Sequence, residues 1–218
     1  MKKTINFYNN NKIKHFHFIG IGGVGMSSIA KLLILEGYII SGSDLLPNQK
    51  TQELIHMGAK IYLRHCAKNI VHANVIIISS AIPLNNIEII SAKKFKIPIL
   101  LRAQILAEIM HHKYGIAVSG SHGKTTTTGM IFSIYNNNKL YPSLINGGIV
   151  NEINSSSQLG HSKFIIAEAD ESDGSLIYLK PKMIILTNID YEHIRNYQGN
   201  LNNLKKTFLK FINNLPSY

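Results

Sequence analysis

With 218 residues, 45% of them hydrophobic, the chain has room for one large or two small α/β domains with a real core. The formal charge of +11 comes from lysines scattered in short runs (Lys2-Lys3, Lys93-Lys94-Lys96, Lys205-Lys206-Lys210), not from a basic stripe interleaved with aromatics. Compositional bias toward Lys, Asn and Ile therefore accounts for it, and no nucleic-acid partner is expected. No apolar run reaches the length of a membrane span, His15 and His17 interrupt the first apolar stretch, and the single Cys66 leaves no internal disulfide, so a cytoplasmic protein without a membrane partner is expected.

Residues 14–19 read as an apolar strand after a polar, Asn-rich lead. Gly20-Ile21-Gly22-Gly23-Val24-Gly25 follows, a full G-x-G-x-x-G, and then a helix over 26–36 that Gly37 closes. A second strand over 38–43 runs into Asp44, about 20 positions past the glycines, as the dinucleotide fingerprint requires. Gly20, Gly22, Gly23 and Gly25 permit a tight turn and close backbone approach to a diphosphate, and Asp44 suits a ribose hydroxyl. The plain alternative is a glycine turn needed only for strand–helix packing. A helix over 49–57 and a strand over 60–63 come next. The run VIIIS at 75–79 has the continuous apolarity of a buried parallel strand, and it ends in Ser79-Ser80-Ala81-Ile82-Pro83 at the sheet edge where open α/β folds bind ligands. A helix over 87–95, a strand over 97–101 and a helix over 102–112 complete this half.

Residues 115–118 form another short apolar strand. It breaks into Ser119-Gly120-Ser121-His122-Gly123, followed by Lys124 and four threonines at the head of a helix running to about residue 136. Strand, glycine loop, Lys-Thr and helix make the layout of a phosphate-binding loop, although Val118 stands where the common form has its first glycine. In that layout Lys124 reaches the β- and γ-phosphates and the Thr125 hydroxyl ligates Mg²⁺. An ordinary glycine turn with a solvated lysine is the alternative. Asn146-Gly147-Gly148 reads as a turn. Strands over 164–167 and 183–186 run into Glu168-Ala169-Asp170-Glu171-Ser172-Asp173 and Thr187-Asn188-Ile189-Asp190-Tyr191-Glu192-His193. Six of the 12 acids fall within these 25 consecutive residues, which calls for a cation. Glu168 caps its strand and is the first candidate ligand; His193 completes the site or positions a phosphate. A solvated loop over 170–173 and a loop histidine at 193 are the bland readings. Residues 200–215 form an amphipathic helix with Leu204 and Phe208 on its apolar face.

These motifs (HFHFIGIGGVGMSSIAKLL, SGSD, SSAIP, RAQILAEIM, SGSHGKTTTTGMI, NGGIV, AEADESDGS, TNIDYEH and YQGNLNNLKKTF), in this order across residues 13–218, resemble the Mur ligases of peptidoglycan synthesis. The resemblance implies an α/β chain. A Rossmann-like parallel-sheet domain over 1–108 would bind a UDP-sugar, and an incomplete P-loop-type ATPase domain would cover 109–218. The family's C-terminal amino-acid-binding domain would be absent. The implied reaction is ATP-dependent ligation of L-alanine to UDP-N-acetylmuramate through an acyl phosphate, with Mg²⁺. Carried over by position, Gly120, Ser121, His122, Gly123, Lys124, Thr125 and Thr126 hold the ATP phosphates. Thr125 and Glu168 ligate one Mg²⁺, His193 a second, and Lys124 steadies the transferred phosphoryl group. Gly20, Gly22, Gly23 and Gly25 meet the UDP diphosphate, with Asp44, Ser79 and Ser80 nearby. Ser121 stands where the family usually has Thr, and Glu192 where it usually has Asp. The shortness of the chain leads to the expectation that it binds UDP-muramate far better than it ligates and exposes an aggregation-prone sheet edge, with the missing half belonging either to a longer chain of which this is the N-terminal portion or to a separate polypeptide. Two alternatives stand beside this: a non-catalytic UDP-muramate-binding remnant, and an NAD-dependent oxidoreductase, which explains residues 13–44 alone.

Overall fold

The computed structural model describes residues 7, 8, 10, 12–191 and 194–216. The chain divides into two compact units, Met1–Ile105 and Leu106–Tyr218.

The first unit alternates strand and helix: β1 (His15–Ile19), α1 (Val24–Leu35), β2 (Ile39–Ser43), α2 (Gln49–His56), β3 (Lys60–Tyr62), β4 (Val75–Ile78), α3 (Ile87–Lys94), β5 (Ile99–Leu101) and the start of α4 (Arg102–His111). Its sheet has the order β3-β2-β1-β4-β5 and every pair is parallel. All four residues of β4 are buried, as an all-apolar central strand covered on both faces must be. Ile19, Ile76, Ile78, Ile89 and Ala92 join sheet and α3 in one core. Chain order reverses direction at β1, between β2 and β4. The loops after β1 and β4 therefore flank a crevice at the carboxyl edge, where doubly wound sheets take ligands.

The second unit continues with β6 (Tyr114–Ser119), α5 (Lys124–Asn137), β7 (Ser143–Val150), β8 (Ser155–Gln158), β9 (Phe164–Glu168), β10 (Met183–Leu186) and α6 (Leu201–Ile212). Its sheet order is β10-β6-β9-β7-β8, parallel except for the β7–β8 pair. Ile116, Leu144 and Ile166 of the sheet pack against Phe132 of α5. α6 buries Leu204, Phe208 and Phe211 against two one-turn 3₁₀ helices, Ser175–Tyr178 and Ile194–Tyr197.

One expectation is corrected. Asn146-Gly147-Gly148 is not a turn; it lies inside β7, where the pairing with β8 shifts register between Ile145 and Val150. Two glycines weaken a strand, but they are tolerated at such an irregularity when another group must come close to the backbone.

Candidate functional site

In the second unit the phosphate-loop motif is assembled from three strand ends. The register of β6 against β9 sets Val118 opposite Glu168, so the strand that leads into the loop carries the acid beside it. The Ser119 hydroxyl donates to Ala169 O (2.7 Å) and ties the two exits together. Gly123, with φ of 76°, caps α5 in a left-handed conformation that a side chain would oppose.

The Thr125 hydroxyl donates to Glu168 Oε2 at 2.9 Å, and the same oxygen accepts the Gly147 N–H at 2.8 Å. A Cβ on Gly147 would lie 2.5 Å from that oxygen, so the irregular glycine stretch of β7 exists to let Glu168 approach. Lys124 turns back into the loop. Its ammonium donates to Gly120 O (2.6 Å) and Ser121 O (3.1 Å) and pairs with both carboxylate oxygens of Glu171 at 3.1 and 3.0 Å.

The exit of β10 braces the loop from the other side. Thr187 Oγ1 donates to His122 O (2.6 Å), Asn188 Nδ2 donates to the same carbonyl (3.1 Å), and His122 N–H donates to Asn188 Oδ1 (2.9 Å). Asp190 N–H donates to Ser121 Oγ at 2.9 Å. His122 and the Asp190 carboxylate, 3.3 Å apart and both about half exposed, form a surface pair of little energetic weight. Thr126 lines a cleft of about 610 Å³ between α5 and β7, together with Thr125, Met130, Asn146 and Ile149.

The acid cluster separates into different roles. Asp170 Oδ1 and Asp173 Oδ1 accept the Ser172 and Ser175 N–H groups at 2.9 Å each, turns that shape the loop itself. Glu171 is fully buried, and burial pushes its carboxyl above the ordinary range although Lys124 pulls the other way. The Tyr197 hydroxyl donates to Glu171 O; burial first, then the nearby Glu171 charge, pushes the phenol up to about 12. Glu192 and His193 lie outside the described residues.

Thr125 and Glu168 fit Mg²⁺. They offer hard oxygens from two elements, and among the described residues no three His, Cys, Asp or Glu side chains gather into a closed cage. Mg²⁺ takes one or two protein oxygens and leaves its other positions to water and phosphate.

In the first unit, Asp44 faces its own loop. Oδ2 accepts the Gly22 N–H at 2.7 Å and Oδ1 accepts the Leu45 N–H at 2.8 Å. Asn48, which caps α2, donates to Gly22 O at 3.2 Å. A Cβ on Gly22 would fall 2.5 Å from Asn48 Nδ2 and 2.8 Å from Asp44 Oδ2. Ser79 O accepts the Ile82 N–H (3.2 Å), and Ile82 lies against Gly20, so the turn after β4 meets the glycine loop as the crevice requires. Ser79 is half-buried and Ser80 exposed. The N-cap Gly23 contributes no side-chain cap and the first turn of α1 holds no acid, which leaves its positive end available to an anion. Arg102, the first residue past β5, reaches within 2.7 Å of where a Gly25 Cβ would sit and adds a cation to that end. Sequence reasoning missed Arg102, Gly147 and Asn188 as site residues and counted Glu171 only among the acids that call for a cation. For Arg102 the signal was its place directly after a strand at the binding edge.

Below β1 and β2 lies a buried polar cluster. Glu88 accepts from Ser43 Oγ (2.5 Å), Asn69 Nδ2 (2.6 Å) and Cys66 N (3.2 Å), with His17 Nε2 at 3.6 Å. Burial alone would push the Glu88 carboxyl up, but the His17 ring beside it and the hydrogen bonds from Ser43 and Asn69 outweigh it and hold the group below the ordinary carboxylate value.

Fold and loops together define a two-unit α/β chain with a glycine loop at the switch point of its first sheet and a lysine–threonine loop beside a strand-end glutamate in its second unit. The model of the Mur ligase family, catalytic domain, matches residues 15–114, and that of the Mur ligase middle domain matches residues 118–218; the chain belongs to the Mur ligase family. It is 53% identical over 207 residues to UDP-N-acetylmuramate–L-alanine ligase of Baumannia cicadellinicola subsp. Homalodisca coagulata, covering 95% of this chain and 42% of that one. To the enzyme of the same name from Buchnera aphidicola subsp. Baizongia pistaciae it is 54% identical, covering 99% and 44%. The chain thus spans less than half the length of these curated relatives. Among solved structures, UDP-N-acetylmuramate-alanine ligase MurC from Thermotoga maritima superposes with a TM-score of 0.86 at 29% identity, covering 92% of this chain and 47% of that one. The UDP-N-acetylmuramate:L-alanyl-gamma-D-glutamyl-meso-diaminopimelate ligase from Neisseria meningitides gives 0.87 at 25% identity, covering 94% and 69%.

Proposed function

We infer that this chain carries the substrate-holding and phosphate-activating parts of a cytoplasmic, ATP-dependent ligase that joins L-alanine to UDP-N-acetylmuramate. The observation that carries the reading is the convergence of Lys124, Thr125 and Glu168 at the head of α5, with Thr125 and Glu168 in contact at 2.9 Å. Residues 1–108 hold the UDP-sugar, with its diphosphate against Gly20, Gly22, Gly23 and Gly25, the amino end of α1 and Arg102. Residues 109–218 hold ATP on the loop over 120–126.

The chemistry follows from the substrate. A carboxylate is a poor electrophile until one of its oxygens becomes part of a leaving group. The muramyl carboxylate oxygen attacks the γ-phosphorus and ADP departs. The alanine amine then attacks the acyl carbon of the resulting acyl phosphate, and inorganic phosphate leaves as the amide forms. Lys124 places a positive charge on the phosphoryl oxygens during transfer, and the loop amides orient the β-phosphate. Thr125 and Glu168 would hold Mg²⁺, which would supply neutralisation of the phosphate charge. His193 is the candidate for a second Mg²⁺.

A binding-only remnant shares the first unit's contacts but has no use for the paired Thr125 and Glu168. A nicotinamide enzyme leaves the second unit without a role. Thermal unfolding separates the three readings. UDP-N-acetylmuramate and Mg-ATP should each raise the unfolding temperature while NAD does not. Protection by UDP-N-acetylmuramate without protection by Mg-ATP selects the remnant, and protection by NAD selects the oxidoreductase.

A further inference from the structure

Glu171 lies fully buried beside the phosphate loop, and among the described residues its Oε2 meets no hydrogen-bond donor apart from the Lys124 ammonium in the ion pair. The Lys124 side chain is itself only 13% exposed. An ammonium has three protons; here they serve Gly120 O, Ser121 O and the Glu171 carboxylate. So placed, the cation faces inward, and a phosphoryl group on the loop would have to draw it away from at least one of these partners.

We propose that Glu171 is a positioning residue that holds Lys124 inside the loop when no phosphate is bound, so that a polyphosphate binds by exchanging the Lys124–Glu171 ion pair for a Lys124–phosphate ion pair. This rests on the reading of residues 119–126 as a phosphate loop. Glu171 cannot follow the lysine outward. Its carbonyl accepts the Tyr197 hydroxyl and the Gly174 N–H (3.0 Å), which fix its backbone from two sides. Its acidic neighbours offer no substitute, since Asp170 and Asp173 are turned onto Ser172 and Ser175. Exchange therefore leaves a buried carboxylate without its cation, a state that is strongly unfavourable, and that cost is subtracted from the affinity for phosphate. The arrangement weakens binding of any polyphosphate, product included, and reserves the lysine for a ligand charged enough to displace the acid.

The test compares wild type, Glu171→Gln, Lys124→Met and the double variant, titrated calorimetrically with inorganic tripolyphosphate in the presence of a metal chelator. Acylation of Lys124 by an amine-reactive ester, read by peptide mass mapping, gives a second readout that involves no nucleotide. The expected result is roughly fivefold to tenfold tighter tripolyphosphate binding in Glu171→Gln, faster acylation of Lys124, and no effect of Glu171→Gln once Lys124 is Met. Tyr197→Phe, which frees the Glu171 backbone, should shift both readouts in the same direction by a smaller factor and carries the test if Glu171→Gln fails to fold. Unchanged acylation overturns the restraint, and faster acylation with unchanged or weaker tripolyphosphate binding overturns the exchange. Equal binding to wild type and Lys124→Met instead sinks the phosphate-loop reading, and the proposal with it.

Discussion

Each unit builds a glycine loop between a parallel strand and a helix, and each places a fully buried glutamate close to the site, yet the two glutamates behave oppositely. Glu88 gathers donors from Ser43, Asn69 and Cys66 beside His17, and is held below its ordinary pKa. Glu171 has, among the described residues, one ammonium as its charge partner and is pushed above its ordinary pKa by burial. The Glu88 carboxylate is stabilised by His17 and by donors distributed over both its oxygens, whereas the cation beside Glu171 must also serve two carbonyls. The same contrast runs through the loops. In the first, carboxylate and amide side chains lock backbone groups. In the second, Asn188 and Thr187 lock the His122 backbone too, but the Lys124–Glu171 ion pair is added to them.

The comparison breaks most sharply at Lys124. Lys124→Met should weaken Mg-ATP binding by about two orders of magnitude and leave UDP-N-acetylmuramate binding unchanged, measured by titration calorimetry. Gly22→Ala is the mirror experiment. Its new Cβ collides with Asn48 and Asp44, so it should cost about 1–3 kcal/mol of stability in denaturant unfolding and abolish protection by UDP-N-acetylmuramate while Mg-ATP still binds. Glu88→Gln should destabilise by a similar or smaller amount, about 1–3 kcal/mol at neutral pH. Because the folded-state pKa of Glu88 is depressed, its contribution is present above the unfolded value of 4.5 and is lost as pH falls through the folded value, so wild type and variant should converge in acid. Glu171 has the opposite sign: its raised pKa favours the folded state at low pH, and that contribution disappears as pH rises through the folded value. The smallest effect is expected for Tyr197→Phe, about 1 kcal/mol in thermal unfolding.

Much of this was legible in the sequence because the signals are local. Glycines at fixed spacing between an apolar run and a helical period announce both loops, and VIII and MIIL announce their strands. What stayed hidden depends on distant pairing. The polar β8, SSSQ, has no apolar alternation and forms only because β7 lies beside it. Asn146-Gly147-Gly148 carries a turn signature, yet the need to admit Glu168 keeps it in a strand. Glu171 stands between two similar acids, and only the fold shows that it alone of the three meets Lys124, 47 positions earlier. Asp44 was legible as the acid of the fingerprint, but its engagement with Gly22 N–H was not.

The most direct measurement is a calorimetric titration of Mg-ATP into the 218-residue chain and into its Lys124→Met variant, each followed by UDP-N-acetylmuramate. The account predicts that both ligands bind wild type and that the variant loses Mg-ATP alone. Equal Mg-ATP binding by the two proteins, or loss of both ligands together in a folded variant, would contradict the assignment of separate sites to the two units.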